Sequence, residues 1–208
     1  MLEQVIALAQ RCTVVPLLGN HEEMLLAALE GPSELRYWLK FGGTEALASY
    51  GYRGGPDLRP ADLRALIPAE HLQFIKGCRD YFETVQHIFV HAYYEPDRPL
   101  HEQRWGGLRW ASLPPVPARH CSGKVAIVGH TPQKNGEVLD LGYLKCIDTF
   151  CHGGAGSRRW RSAPGRPGRR TWRGRCGSRL RRPTPGPVRF RVRKTPDAPG
   201  ICTPVGCQ

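Results

Sequence analysis

Three short, mainly apolar runs each stop at a polar signature. Val14 to Leu18 runs into Gly19-Asn20-His21-Glu22, His87 to Val90 into His91-Ala92, and Val125 to Val128 into Gly129-His130-Thr131. Short apolar runs bounded by glycine and polar residues read as buried strands. In an open α/β sheet, ligands gather just beyond the carboxyl ends of the strands, so three such endings can converge on one point. An amide oxygen and imidazole nitrogens at that point form a donor set that suits a divalent metal.

The flanking sequence reads as alternating helix and strand. Leu2, Val5, Ile6 and Ala9 share one helical face, and Glu22 to Leu29 is a helix-forming run stopped by Gly31-Pro32. Further helices are expected at Ser33 to Lys40, Thr44 to Tyr50 and Pro60 to Lys76, and strands at Tyr81 to Val85, Ile88 to Val90, Val125 to Val128 and Tyr143 to Ile147. Glu95 to Ser122 is rich in Pro, Trp and Arg and reads as a long loop over the site. The pattern predicts the α/β class, a sandwich with a central mixed sheet.

Charge divides the chain. Of 30 Lys+Arg and 18 Asp+Glu, residues 1–153 hold 15 and 17, leaving 15 and 1 for residues 154–208. Arg, Gly and Pro make up 31 of those last 55 residues, a composition too poor in apolar groups to build a core. A domain is therefore expected over 1–153 and a disordered basic tail over 154–208, with the boundary near Gly153. Eight cysteines occur without a C-x2-C pair, which reads as free thiols. With no stretch of 18 apolar residues and no basic leader ahead of an apolar block, a cytoplasmic protein without membrane association is expected.

Taken in order, Gly19-Asn20-His21-Glu22, Val90-His91-Ala92 and Gly129-His130-Thr131 resemble the central and C-terminal signature blocks of the calcineurin-like metallophosphoesterases. Thr44 to Gly51, Leu108 to Trp110 and Ile147 to Thr149 add to the likeness, which covers residues 2–153. Within that family the chain is most similar to the bacterial branch of serine/threonine protein phosphatases, and it also resembles the symmetrical diadenosine tetraphosphatases. The resemblance implies hydrolysis of a phosphoserine or phosphothreonine protein or of a small phosphoester. It implies two divalent ions, Mn2+ in the first place with Fe or Zn as alternatives. Asn20, His91 and His130 would then be metal ligands and His21 the general acid.

Each of these residues also has a local reading. Asn20 is well placed as the N-cap of the following helix, and His91 and His130, taken singly, read as ordinary strand-end histidines. Arg109 is a weak candidate for gripping phosphate, because the family's arginine follows a tryptophan whereas Trp110 is followed by Ala111-Ser112. The family's Gly-Asp-x-His-Gly and Gly-Asp-x-x-Asp-Arg-Gly blocks do not occur in these 208 residues. The reading is therefore of an N-terminally incomplete domain that holds at most one ion and turns over little or not at all. It should present an exposed sheet edge and apolar faces, with poor solubility. The tail has the composition of out-of-frame translation; as a real extension it would bind nucleic acid or another polyanion through counterion release.

Overall fold

The computed structural model describes residues 1–55 and 57–151, so the expected tail, His152 and the boundary near Gly153 lie outside the described residues. Helices come first and the sheet second. α1 (Leu2–Ala9), α2 (Asn20–Ala28), α3 (Pro32–Trp38), α4 (Thr44–Ser49), α5 (Pro60–Leu66) and α6 (Ala69–Lys76) precede β1 (Tyr81–Glu83) and β2 (His87–Val90). Then come α7 (Trp105–Trp110), β3 (Val125–Val128), β4 (Leu139–Asp140) and β5 (Leu144–Cys146). The sheet order is β1-β2-β3-β5-β4; β2, β3 and β5 run parallel, and β1 and β4 pair antiparallel at the two sides. The described chain is thus mixed α/β with a mixed sheet, as the apolar runs predict.

Proline accounts for two departures from the expected elements. The single helix expected over Pro60 to Lys76 is two helices, because Ile67 is extended (φ −95°, ψ 124°) immediately ahead of Pro68. The proline ring crowds the residue before it and disfavours the helical conformation there. The strand expected over Val14 to Leu18 is reduced to one parallel bridge between Leu17 and Arg79. Leu18 N–H donates to the Arg79 carbonyl at 2.8 Å and Arg79 N–H to the Pro16 carbonyl at 2.9 Å, while Pro16 itself has no N–H to offer a ladder.

Three elements appear where the sequence signalled none. β4 turns back into β5 through Asp140-Leu141-Gly142, where Gly142 N–H donates to Asp140 Oδ1 at 2.9 Å and Gly142 takes φ 79°. The stretch from Glu95 to Ser122, expected as a loop, contains a 3-10 turn at Leu100–Glu102 and the helix α7. It is fastened by side chains: Tyr94 donates to the Ala118 carbonyl and Tyr143 to the Pro117 carbonyl, each at 2.7 Å. The buried Gln103 amide bonds to both the N–H and the C=O of Glu95 and to the Arg98 carbonyl.

Buried apolar residues form two separate clusters. One lies among the helices, around Leu25, Ala28, Leu35, Trp38, Leu47 and Leu63. The other takes alternate residues of β2, β3 and β5, namely Ile88, Val90, Ala126, Val128, Leu144 and Cys146, and covers them with Tyr94, Leu100 and Leu108. The period of two along each strand puts Phe82, Phe89 and Ile127 in one cross-strand row on the opposite face, where they are half-buried. Among the described residues no helix is long and apolar enough to cross a membrane.

Leu63 is fully buried and Val85, just beyond β1, is 90% exposed. Replacing Leu63 by Ala should cost about 3 kcal/mol of unfolding free energy through lost burial and a residual cavity, against less than about 0.5 kcal/mol for Val85→Ala. Urea denaturation of the two variants checks this, and similar midpoints would contradict the packing.

Candidate functional site

Asn20 stands one residue inside α2, and the N-cap position belongs to Gly19, extended at φ −97°, ψ 174°. Gly19 N–H donates to Glu22 Oε2 at 3.2 Å, the half of a capping box that a glycine can make. The amide of Asn20 is therefore left free of capping duty. It is buried, 7% exposed, and its Oδ1 lies 2.9 Å from Nε2 of His91, which is 71 residues away in sequence. An amide oxygen only accepts, so this bond assigns the ring proton of His91 to Nε2.

His91 and His130 leave the ends of β2 and β3, which are adjacent and parallel. Gly129 N–H donates to the His91 carbonyl at 2.9 Å, carrying the pairing one step past the strands, and the two imidazole rings lie 5.3 Å apart, centre to centre. Gly19 allows the helix to start against the ring: a Cβ added there would sit 2.7 Å from Cε1 of His91. His130 adopts φ 62°, the left-handed region, where a non-glycine residue carries strain of about 1 kcal/mol or more. That conformation turns the chain sharply at the strand end instead of letting it extend.

Around this pair stand two further groups. His21, the next residue on α2, is exposed, with Nδ1 close to Gly42 in the turn after α3. Asp148 follows β5, the strand on the far side of β3. Burial is the largest influence on His91 and pushes its pKa down to about 4; the charges of His130 and His21 act in the same direction and that of Asp148 opposes them. His91 is therefore neutral near pH 7.

The sign of the resulting pH dependence follows from linkage. With a folded pKa of about 4 against 6.5 for an ordinary histidine, the unfolded chain takes up a proton first as pH falls. The contribution is fully present above pH 6.5 and is lost towards pH 4, amounting to about 2 kcal/mol between pH 6.5 and 5. His91→Gln should flatten the fall in stability over that window, as followed by urea denaturation at half-unit steps; an unchanged slope would contradict the burial of a neutral ring.

The donor atoms suit a shared cation. Two ligands at adjacent positions of an octahedral ion, each about 2.1 Å from it, have donor atoms about 3 Å apart, close to the 2.9 Å between Asn20 Oδ1 and His91 Nε2. Binding through Nε2 would require the ring proton to move to Nδ1, a change of tautomer that a neutral imidazole permits. Among the described residues no group of three or more His, Cys, Asp or Glu forms a cage; the set here offers two histidines and an amide.

Arg109, expected as a phosphate-gripping cation, is 15% exposed at its side chain and already engaged. Its Nε donates to Asp80 Oδ1 at 2.8 Å with Nη2 on the same oxygen, and Nη1 donates to Glu23 Oε1 at 2.9 Å. Sequence reasoning counted Ile147 to Thr149 in the likeness but gave Asp148 no role, and it passed over Glu23. A carboxylate directly after a strand was a visible signal for Asp148, whereas nothing local marked Glu23. No family model, no curated protein and no solved structure matches this chain.

The left-handed backbone of His130 gives a second test. His130→Gly should be more stable than His130→Ala by about 1 kcal/mol, because only glycine adopts φ 62° without steric cost. The reverse order in thermal or chemical denaturation would contradict that conformation.

Proposed function

We propose that this chain is a metallophosphoesterase-type phosphoester hydrolase with the calcineurin-like sandwich fold. In this reading Asn20, His91 and His130 hold one divalent cation, manganese first and iron or zinc as alternatives, and His21 is the general acid. The observation that carries it is the 2.9 Å approach of Asn20 Oδ1 to His91 Nε2, with the His130 ring beside them, from three strand-end signatures far apart in sequence. A cation held there would polarise a phosphoryl oxygen and lower the barrier to attack at phosphorus.

The side chains divide the work by chemistry. Asn20 contributes a neutral oxygen and is kept in place by burial; His91 and His130 contribute nitrogen lone pairs without bringing charge. His21, exposed on the outer side of the same helical turn, is free to meet a substrate and to give a proton to the departing alkoxide. The substrate class is a phosphoserine or phosphothreonine side chain, with a symmetrical dinucleoside tetraphosphate as the alternative. The Gly-Asp-x-His-Gly and Gly-Asp-x-x-Asp-Arg-Gly blocks do not occur in these 208 residues, and a site with one ion in place of two is expected to turn over slowly.

Calorimetric titration with Mn2+ tests the reading. One ion per chain is expected, with affinity reduced at least about tenfold in Asn20→Ala, His91→Ala and His130→Ala. Any Mn2+-dependent hydrolysis of p-nitrophenyl phosphate should fall in His21→Ala while Mn2+ affinity stays within about twofold. Absence of binding at millimolar Mn2+, or binding indifferent to all three ligand substitutions, would sink the proposal.

A further inference from the structure

One short stretch touches the neighbours of all three proposed ligands. The carbonyl of Leu108 accepts from the N–H of Ala92, the residue after His91, at 2.8 Å. Arg109 Nη1 donates to Glu23 Oε1 at 2.9 Å and Trp110 Nε1 to Glu23 Oε2 at 2.6 Å, so both oxygens of a side chain one helical turn past Asn20 are held. The N–H of Leu113 donates to Oγ1 of Thr131, the residue after His130, at 2.8 Å.

We propose that Leu108–Leu113 is the positioning element of the site, a jig that sets α2 and the ends of β2 and β3 relative to one another. The inference rests on the reading of Asn20, His91 and His130 as one ligand set. Among the described residues no hydrogen bond runs from the jig to the two rings or to the Asn20 amide; its groups act through Ala92, Glu23 and Thr131.

Three features give the stretch the stiffness a jig needs. Leu108 is fully buried in the sheet cluster and anchors it from below. The Arg109 guanidinium is shared between Asp80 and Glu23, and a forked donor between two carboxylates fixes direction as well as distance. Two bonds to the two oxygens of Glu23 then restrain rotation of α2 about its own axis, the motion that would swing Asn20 away from His91. At the third contact, the strained backbone of His130 needs outside restraint to persist, and the bond from Leu113 to Thr131 supplies it at the next residue.

The test uses the full chain and two readouts: Mn2+ affinity, from the free-ion electron paramagnetic resonance signal, and the His91 and His130 ring resonances in 1H–15N spectra without metal. Glu23→Gln and Thr131→Val should each weaken Mn2+ binding about tenfold, the usual effect of losing a group that orients a ligand. They should also move the ring resonances, His91 in the first and His130 in the second. Arg109→Lys should recover part of what Arg109→Met loses, since it restores the charge without the fork. Glu83→Gln, which breaks the Lys124 ion pair beside β1, should leave both readouts unchanged.

Wild-type affinity and wild-type ring spectra in both Glu23→Gln and Thr131→Val would overturn the inference. If the unmodified chain binds no Mn2+, the functional proposal falls, and the ring spectra alone decide the jig: shifted resonances uphold it and unmoved ones end it. Should Arg109→Met fail to fold, Glu23→Gln and Thr131→Val still give the answer.

Discussion

A guanidinium withdrawn from water has to be matched by carboxylates, and the way Arg109 is matched governs how the two halves of this domain meet. The buried apolar residues form separate clusters, one among the helices and one on the sheet. The contact to Glu23 crosses that division: Arg109 follows Leu108 of the sheet cluster, Glu23 is on α2 of the helical one, and Asp80 stands in the link between α6 and β1. Apolar packing is non-directional and tolerates sliding, whereas a fork held between two acids does not. The relative setting of helix and sheet is therefore specified electrostatically, at the level where Asn20 meets His91.

Polar specification also explains why the local backbone departs from ideal geometry at these strand ends. Gly19 lacks a side chain because the His91 ring occupies the space a Cβ would need, and His130 holds a left-handed turn although it is not glycine. One position gives up a side chain and the other accepts strain. The first lets the start of α2 lie against the His91 ring, and the second stands where the His130 ring lies beside it. Asn20 is freed for this contact because Glu22 and Gly19 share the capping of α2, so the helix start is satisfied without it.

What the sequence disclosed follows the range over which its signals act. The apolar runs of β2 and β3 were legible because period and punctuation are local, and the gathering of strand ends in an open sheet led from them to Asn20 and His91; the helix cap, expected at Asn20, falls on Gly19 instead. The strand over Val14 to Leu18 was not legible, since Pro16 leaves the ladder short of a donor and only a bridge to Arg79 forms. The break at Pro68 was legible in principle, because a proline in mid-helix marks its own boundary. The short helix within Glu95 to Ser122 was hidden by its composition: Trp105-Gly106-Gly107 is a poor helix former, and its stability comes from Leu108 entering the sheet cluster and from ion pairs to distant acids. Long-range pairings of that kind leave no trace in spacing.

Parallel strands cannot be joined by a tight turn, and the β2 to β3 connection accordingly runs from residue 91 to residue 124. Surface connections of such length are ordinarily the places where insertions and deletions accumulate without harm. Here the detour is stitched to the domain at Glu23, Thr131 and the Tyr143 hydroxyl and closed on itself by Ala92 to Leu108 and Tyr94 to Ala118, so its middle is held at several points. Freedom to change length is confined to the few residues between those stitches, and an engineered graft or natural indel would have to respect their spacing.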